Sequence, residues 1–211
     1  AFGGYLLLHR VASGGMGTVY LARRAMGGID KTCVVKTLKA SFGEDAEYIA
    51  RFIDEARVVV QLSHRNICPV FDVGKVGTRH YLAMEHVHGL DLKAVTTRVG
   101  ERGGGTLPEA AIYHVVIEVL DALDYAHRHE DPVSGQPLNL VHRDVSPQNV
   151  MLNFEGEVKL IDFGLAASQL KNEQTGPDVV LGKLAYMAPE HARGDALDGR
   201  ADQFAAGVLA Y

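Results

Sequence analysis

The hydrophobic period of this chain changes along its length, and that change limits the available folds more than any other feature. Residues 5–11 (YLLLHRV), 18–23 (TVYLAR) and 33–38 (CVVKTL) are short β-prone runs. They are set apart by glycine breaks, Gly14, Gly15 and Gly17 in the first and Gly27 and Gly28 in the second. Such spacing predicts an antiparallel meander. Ile49, Phe52, Ala56, Val59 and Leu62 then recur at helical spacing, so residues 45–62 are expected to form an amphipathic helix packed on the sheet. Strand patterns return at 67–74 (ICPVFDVG) and 80–87 (HYLAMEHV).

Beyond the glycine-rich ERGGGT, Leu107-Pro108-Glu109 opens a second helix. Its stripe carries Ile112, Val115, Val116, Val119, Leu120, Leu123 and Ala126. Residues 130–137 (EDPVSGQP) read as a polar turn. Strand-like pieces follow at 140–142 (LVH), 150–154 (VMLNF) and 157–162 (EVKLID), then an irregular stretch and the apolar run FAAGVLAY. The expectation is an α+β chain in two lobes, a sheet with one helix over 1–87 and a mostly helical lobe over 88–211.

Composition narrows the function classes. The 211 residues are 47% hydrophobic and 22% charged, the balance of a globular protein and not of a disordered tail. With 21 basic and 26 acidic residues and no lysine or arginine stripe, nucleic acid is excluded as an expected partner. No apolar stretch reaches the ~18 residues that would cross a bilayer. Cys33 and Cys68 sit in apolar surroundings without metal-ligand spacing and read as reduced core residues of a cytoplasmic protein.

Several short segments carry chemistry. Lys36 ends a hydrophobic strand. Glu55 lies three residues after Phe52 and four before Val59, on the buried stripe, where a carboxylate calls for a cationic partner. His142-Arg143-Asp144 is followed, five residues after the aspartate, by Asn149. Asp162-Phe163-Gly164 comes 18 residues after Asp144, behind a strand-like VKLI. In order, VASGGMGTVY, CVVK, the helix carboxylate, HRDVSPQN, DFG and APE (188–190) resemble the signature set of protein kinases, and most nearly the eukaryotic-like serine/threonine kinases of bacteria.

That resemblance covers essentially the whole chain and implies transfer of the γ-phosphoryl group of ATP, with Mg2+, to Ser or Thr hydroxyls of proteins. It implies that Asp144 receives the hydroxyl proton, that Lys36, paired with Glu55, sets the phosphates, and that Asn149 and Asp162 hold the metal. Val11, Ala12, Gly14, Gly15 and Gly17 would cover the nucleotide, with Gly14 and Gly17 giving close backbone approach to the phosphates. Val19, Val34 and Met151 would pack on adenine, backbone groups of 85–87 (Glu85 to Val87, after Met84) would bind it, and Asp91 would reach the ribose. Val59, Val70, His142 and Phe163 match an apolar column between the lobes, and Asp202 would tether the catalytic-loop backbone.

Departures from the pattern carry their own expectations. Ala12 replaces a glycine, and Val34 stands where the family usually has alanine. Ser146 and Lys183 occupy positions where the family usually has lysine and threonine. The two look exchanged, so Lys183 would supply the cation beside the transferring phosphoryl group and Ser146 the hydroxyl. Arg143 before the catalytic aspartate points to a phosphorylated activation loop, with Thr175 the preferred autophosphorylation site over Ser168 and self-association implied. Because the chain stops at Tyr211, the resemblance implies a cut within the central helix. Glu190 would lack its usual arginine, and FAAGVLAY would expose apolar surface. The chain is expected to be cytoplasmic, as the cytosolic part of a longer, membrane-anchored protein. The rival readings are a pseudokinase or nucleotide-binding scaffold and, disfavoured by APE, a small-molecule phosphotransferase.

Overall fold

The computed structural model describes residues 1–14, 17–26, 29–38, 46–103, 105–163 and 184–211, with the backbone alone at positions 25, 26, 29, 46–48, 51 and 55. These residues group into two compact units. Ala1–Leu62 and Pro69–His86 form the first; Ser63–Cys68 joins residues 87–163 and 184–211 in the second.

The first unit runs β1 (Tyr5–Ser13), β2 (Gly17–Met26), β3 (Ile29–Leu38), α1 (Ala46–Val59), β4 (Val70–Val76) and β5 (Arg79–Glu85). Its antiparallel sheet has the order β1-β2-β3-β5-β4. Strands β2 and β3 extend beyond their apolar runs because their pairing continues without a break from Gly17↔Leu38 to Met26↔Ile29. The distal end is polar, with Arg23 and Asp30 paired at 3.1 Å, so hydrophobicity gives no sign of it.

Pleating sends Cys33 and Val35 to one face, where they form a core with Tyr5, Ala22, Tyr81 and Ala83. Both cysteines are buried, and no disulfide joins them. Within this unit the Asp72 carboxylate accepts hydrogen bonds from Tyr5 (2.5 Å) and Tyr81 (3.2 Å). Burial and the Asp72 charge push both phenols above their usual pKa. Helix α1 buries Phe52, Ala56 and Val59, the stripe read from the sequence. It stops at Val59, short of the expected Leu62, because Gln61 and Leu62 donate to carbonyls three residues back and tighten the chain into a turn.

The second unit contains β6 (Gly89–Asp91), α2 (Leu92–Glu101), α3 (Glu109–His127), β7 (Val150–Asn153), β8 (Val158–Leu160), α4 (Pro189–Arg193) and α5 (Gly199–Ala210). Its small sheet has the order β6-β7-β8. Helix α3 buries Val115, Val119, Ala122, Leu123 and Ala126 against α5 and β8. Leu120, expected on that stripe, is 40% exposed. Helix α5 buries Ala201, Asp202, Ala205 and Ala206 and leaves Phe204 and Tyr211 in solvent.

Three features differ from the sequence reading. Helix α2 is polar with Leu92 its one buried residue, so periodicity does not reveal it; Asp91 starts it by accepting the Ala94 N–H at 2.7 Å. Residues 140–142 are not a strand, since the His142 N–H goes to the Asp202 carboxylate and not to a neighbouring strand. Ile67 and Cys68, read as the start of a strand continuing to residue 74, instead pair with β8. Leu160 N–H donates to Asn66 O (2.7 Å) and Cys68 N–H to Leu160 O (2.9 Å), while the Asn66 amide donates to Val158 O. These bonds explain why Ser63–Cys68 groups with the second unit.

Candidate active site

Cross-strand partners in an antiparallel sheet share a face. In the first unit, β1–β2 pairing sets Ala12 opposite Val19, β2–β3 sets Val19 opposite Lys36, and β3–β5 sets Lys36 opposite Leu82 and Val34 opposite Met84. Ala12, Val19, Val34 and Lys36 therefore lie together on the face opposite the Cys33–Val35 core. Val11 is exposed. The glycine turn is closed by Gly14 N–H donating to Gly17 O at 3.0 Å.

Gly17 has a reason inside the sheet that the motif reading did not give. A Cβ there would come 2.0 Å from the Thr37 carbonyl oxygen, so β2 and β3 could not pair as they do; around Gly14 the space is open. Glu85 spends its N–H on the Pro69 carbonyl (3.0 Å), which removes that donor from the set expected to meet a base. Gly15, Lys183, Thr175 and Ser168 lie outside the described residues, as does the side chain of Glu55.

In the second unit the loop between α3 and β7 is fixed from below by one carboxylate. Asp202, 1% exposed on the first turns of α5, accepts His142 N–H on Oδ2 and Arg143 N–H on Oδ1, each at 2.8 Å. His127, at the end of α3, places Nε2 2.8 Å from the same Oδ2. Arg143 has φ +69°, a left-handed backbone that costs a non-glycine residue about 1–3 kcal/mol and persists only where its surroundings impose it. The two N–H bonds to Asp202 are part of that imposition.

His142 is fully buried and fixes the next step. Its Nδ1 accepts the Asp144 N–H at 3.2 Å, so the ring proton belongs on Nε2, which donates to the Ile161 carbonyl at 3.0 Å. The ring also meets Phe163 edge-on at 4.5 Å. One imidazole thus joins the segment that carries Asp144 to the segment that carries Asp162.

Asn149 completes the group. Its Nδ2 donates to the Asp144 carbonyl (2.7 Å) and to Asp144 Oδ2 (3.0 Å), holding the carboxylate in place, and its backbone carbonyl accepts Ile161 N–H at 2.9 Å. Asp162 follows directly, with φ +60°. Mg2+, which the resemblance implies, fits these residues. Because both Asn149 amide protons are used on Asp144, Oδ1 is the atom left to act as a ligand, and Asp162 adds a carboxylate one residue from the Asn149–Ile161 bond. Two hard oxygen donors suit an ion that keeps waters and phosphates in its shell. Among the described residues no cluster of three or more His, Cys, Asp or Glu side chains could bind a metal by itself.

Among the described residues Ser146, 4% exposed, has no hydrogen-bond partner for its Oγ, and the Arg143 Nε and His191 Nε2 are likewise buried without one. His127, His191 and Gly199 belong to this environment and were not singled out from sequence. His127 and Asp202 are 75 positions apart, and no local pattern connects them. Asp91 serves as the α2 cap described above, a role its expected place at a ribose did not include. Glu190 contributes an attractive charge to Arg200, which is paired with Asp198 at 2.8 Å.

The model of one family, described as "Protein kinase domain", matches residues 5–211. The chain is 37% identical over all its 211 residues to the tyrosine-protein kinase MasK of Myxococcus xanthus, covering 32% of that protein. It is 37% identical to the serine/threonine-protein kinase PknL of Mycobacterium bovis, with 98% of this chain matched to 48% of that one. The chain thus spans less than half the length of these relatives. The crystal structure of the PknI kinase domain of Mycobacterium tuberculosis superimposes with a TM-score of 0.74 at 32% identity, covering 100% of this chain and 73% of that one.

Proposed function

The chain belongs to the protein kinase domain family, and on that premise we propose that it transfers the γ-phosphoryl group of ATP to serine or threonine hydroxyls of proteins, with Mg2+. The observation that carries this reading is Asp144 held by both the Asn149 amide and the His142 ring in a loop pinned by Asp202. A carboxylate so fixed can receive the proton of an acceptor hydroxyl. That oxygen then forms its bond to the γ-phosphorus as the bond to the β-phosphate oxygen breaks and ADP leaves. Lys36, with Glu55 as its partner, sets the phosphates. Asn149 and Asp162 would hold Mg2+, which when bound would supply positive charge to offset that of the phosphates. By the family resemblance, Val11, Ala12, Gly14, Gly15, Gly17, Val19, Val34 and Met151 are the residues proposed for the nucleotide, and Glu85 (without its N–H, which Pro69 takes), Val87 and Asp91 those proposed for its base and ribose.

The orphan hydroxyl of Ser146 supports the exchanged pair. It sits two residues from Asp144, buried, with a free bonding capacity that an activation-segment lysine, Lys183, would fill. Thr175 is the proposed site of autophosphorylation between copies. The whole protein is proposed to place this domain in the cytosol and carry a membrane anchor elsewhere. Among the described residues no helix is long and apolar enough to cross a membrane.

A second reading, transfer to tyrosine, is favoured by the likeness to MasK, which is named a tyrosine-protein kinase. Incubation with labelled ATP and Mg2+, followed by phosphoamino-acid analysis, separates the two. Label on serine or threonine supports the first reading and label on tyrosine alone the second. Equal labelling by the Asp144→Asn variant would overturn the enzyme assignment in favour of a nucleotide-binding scaffold.

A further inference from the structure

Glu118 lies on α3, away from the catalytic loop, and its side chain is only 16% exposed. Its Oε1 accepts Arg65 Nη2 at 2.8 Å and its Oε2 accepts Asn66 Nδ2 at 2.5 Å. Asn66, 3% exposed, spends every polar group it has. A second Nδ2 proton goes to the Val158 carbonyl (2.9 Å), and Oδ1 accepts Arg65 Nε (3.1 Å). The backbone N–H donates to His64 Nδ1 (3.2 Å), and the backbone carbonyl accepts Leu160 N–H (2.7 Å).

The Asn66 amide has one workable orientation. Turned over, it would set Oδ1 against the Glu118 carboxylate and the Val158 carbonyl, acceptors with no proton between them. Glu118 thus fixes which way Asn66 faces, and Asn66 in turn closes one edge of β8. That strand has three residues, Val158–Leu160, and pairs with β7 along its other edge. On the Asn66 side, Val158 O and Leu160 N–H both bond to Asn66, and Leu160 O accepts Cys68 N–H at 2.9 Å. Val158 and Leu160 are 0% and 1% exposed, so water does not stand in for these partners. One turn earlier on α3, His114 Nε2 lies 3.0 Å from the Gly156 carbonyl, so the same helix also holds the β7–β8 turn.

Beyond Leu160 the chain passes directly to the segment assigned to the metal. Ile161 N–H donates to the Asn149 carbonyl at 2.9 Å, and Asp162 follows with φ +60°, a conformation that a non-glycine residue keeps only where its neighbours impose it. We propose that Glu118 is a positioning residue for Asp162: by orienting Asn66 it fixes β8, and with it the backbone from which the Asp162 carboxylate would meet Mg2+. The effect on Mg2+ rests on the kinase reading; the clamp on β8 does not.

Two variants and one exchange measurement test this. Glu118→Gln keeps an oxygen that can accept from Asn66 Nδ2; Glu118→Leu has no acceptor. At saturating ATP the Mg2+ concentration for half-maximal activity is expected to stay within about twofold of wild type in the glutamine variant and to rise about fivefold or more in the leucine variant. A loss of folded protein alone lowers turnover without moving that concentration. Independently of activity, hydrogen exchange at the Leu160 N–H, taken relative to the Val119 N–H inside α3, should quicken about tenfold or more in the leucine variant and stay slow in the glutamine variant. An unchanged Mg2+ requirement in the leucine variant, equal impairment by glutamine, or wild-type exchange at Leu160 in the leucine variant would each overturn the proposal. Absence of phosphoryl transfer from every form would defeat the kinase reading, and the Leu160 exchange would still decide the clamp.

Discussion

Asp202 holds Arg143 in a left-handed conformation through a single 2.8 Å hydrogen bond from the Arg143 N–H, while its other oxygen accepts from His142. A carboxylate almost fully withdrawn from water is tolerated because its bonds are charge-assisted and numerous. Asp202→Ala removes them together and strands two buried N–H groups. The expected loss is about 3 kcal/mol or more of unfolding free energy, with at least a tenfold fall in phosphoryl transfer as the Asp144 loop loses its geometry. Urea denaturation and a turnover assay on the same preparation check both effects. A variant of wild-type stability would show that α5 does not anchor this loop.

Gly199 lies against the ring of His127. A Cβ at that position would come 2.6 Å from Nδ1 and 2.7 Å from Cε1. Gly199→Ala must therefore push the imidazole away from Asp202, at a cost of about 1–3 kcal/mol. If ring displacement is the cause, the penalty should shrink when His127→Ala is already present. A double-mutant cycle measured by denaturation reads this directly, and simple additivity would locate the cost elsewhere.

Much of this site was legible because its residues are fixed by chemistry at short spacing. His142, Arg143, Asp144 and Asn149 span eight positions, and the bonds Asn149 makes to Asp144 are those that spacing allows. The antiparallel meander that carries Val19 and Lys36 was legible in short β-prone runs set apart by glycines, whereas the register that pairs the two residues was not. What sequence did not show falls into two kinds. Helix α2 and the distal end of the β2–β3 hairpin are polar and held by a cap, a salt bridge and backbone bonds, so hydrophobicity has nothing to report there. His127 and Gly199 act only once α3 and α5 have packed, through contacts between residues tens of positions apart. Gly17 belongs to both kinds, its place in the motif plain and its role beneath Thr37 hidden.

Stability should fall in mild acid. His80 and His191 are both held below the ordinary histidine pKa of 6.5, His80 by burial and then the Lys75 charge, His191 by burial and then Arg143. Well above pH 6.5 both rings are neutral in the folded and unfolded chain, and the full stability is present. As the pH drops from 6.5 towards the lower folded values, the unfolded chain takes up protons first, so stability is progressively lost. Denaturation midpoints at pH 7.5, 6.5 and 5.5 should decline in the wild type. The decline should flatten in a His80→Gln, His191→Gln double variant; an unchanged slope would assign the acid sensitivity to other groups.

Asn149 joins two tasks in one side chain, and its removal should reveal both. Nδ2 clamps Asp144 by two hydrogen bonds, and this orientation directs Oδ1 away from that carboxylate. Asn149→Ala loses the clamp, so the acceptor hydroxyl meets a less ordered base and kcat should fall about a hundredfold. It also loses one of the two oxygen donors assigned to Mg2+, so the Mg2+ concentration for half-maximal activity should rise several-fold. Asn149→Asp keeps an oxygen for the metal but faces Asp144 with a like charge, which should preserve Mg2+ affinity while turnover stays low. Titrating Mg2+ at saturating ATP across the three proteins separates these effects. A fall in kcat with the same Mg2+ dependence in all three would reduce Asn149 to the clamp alone.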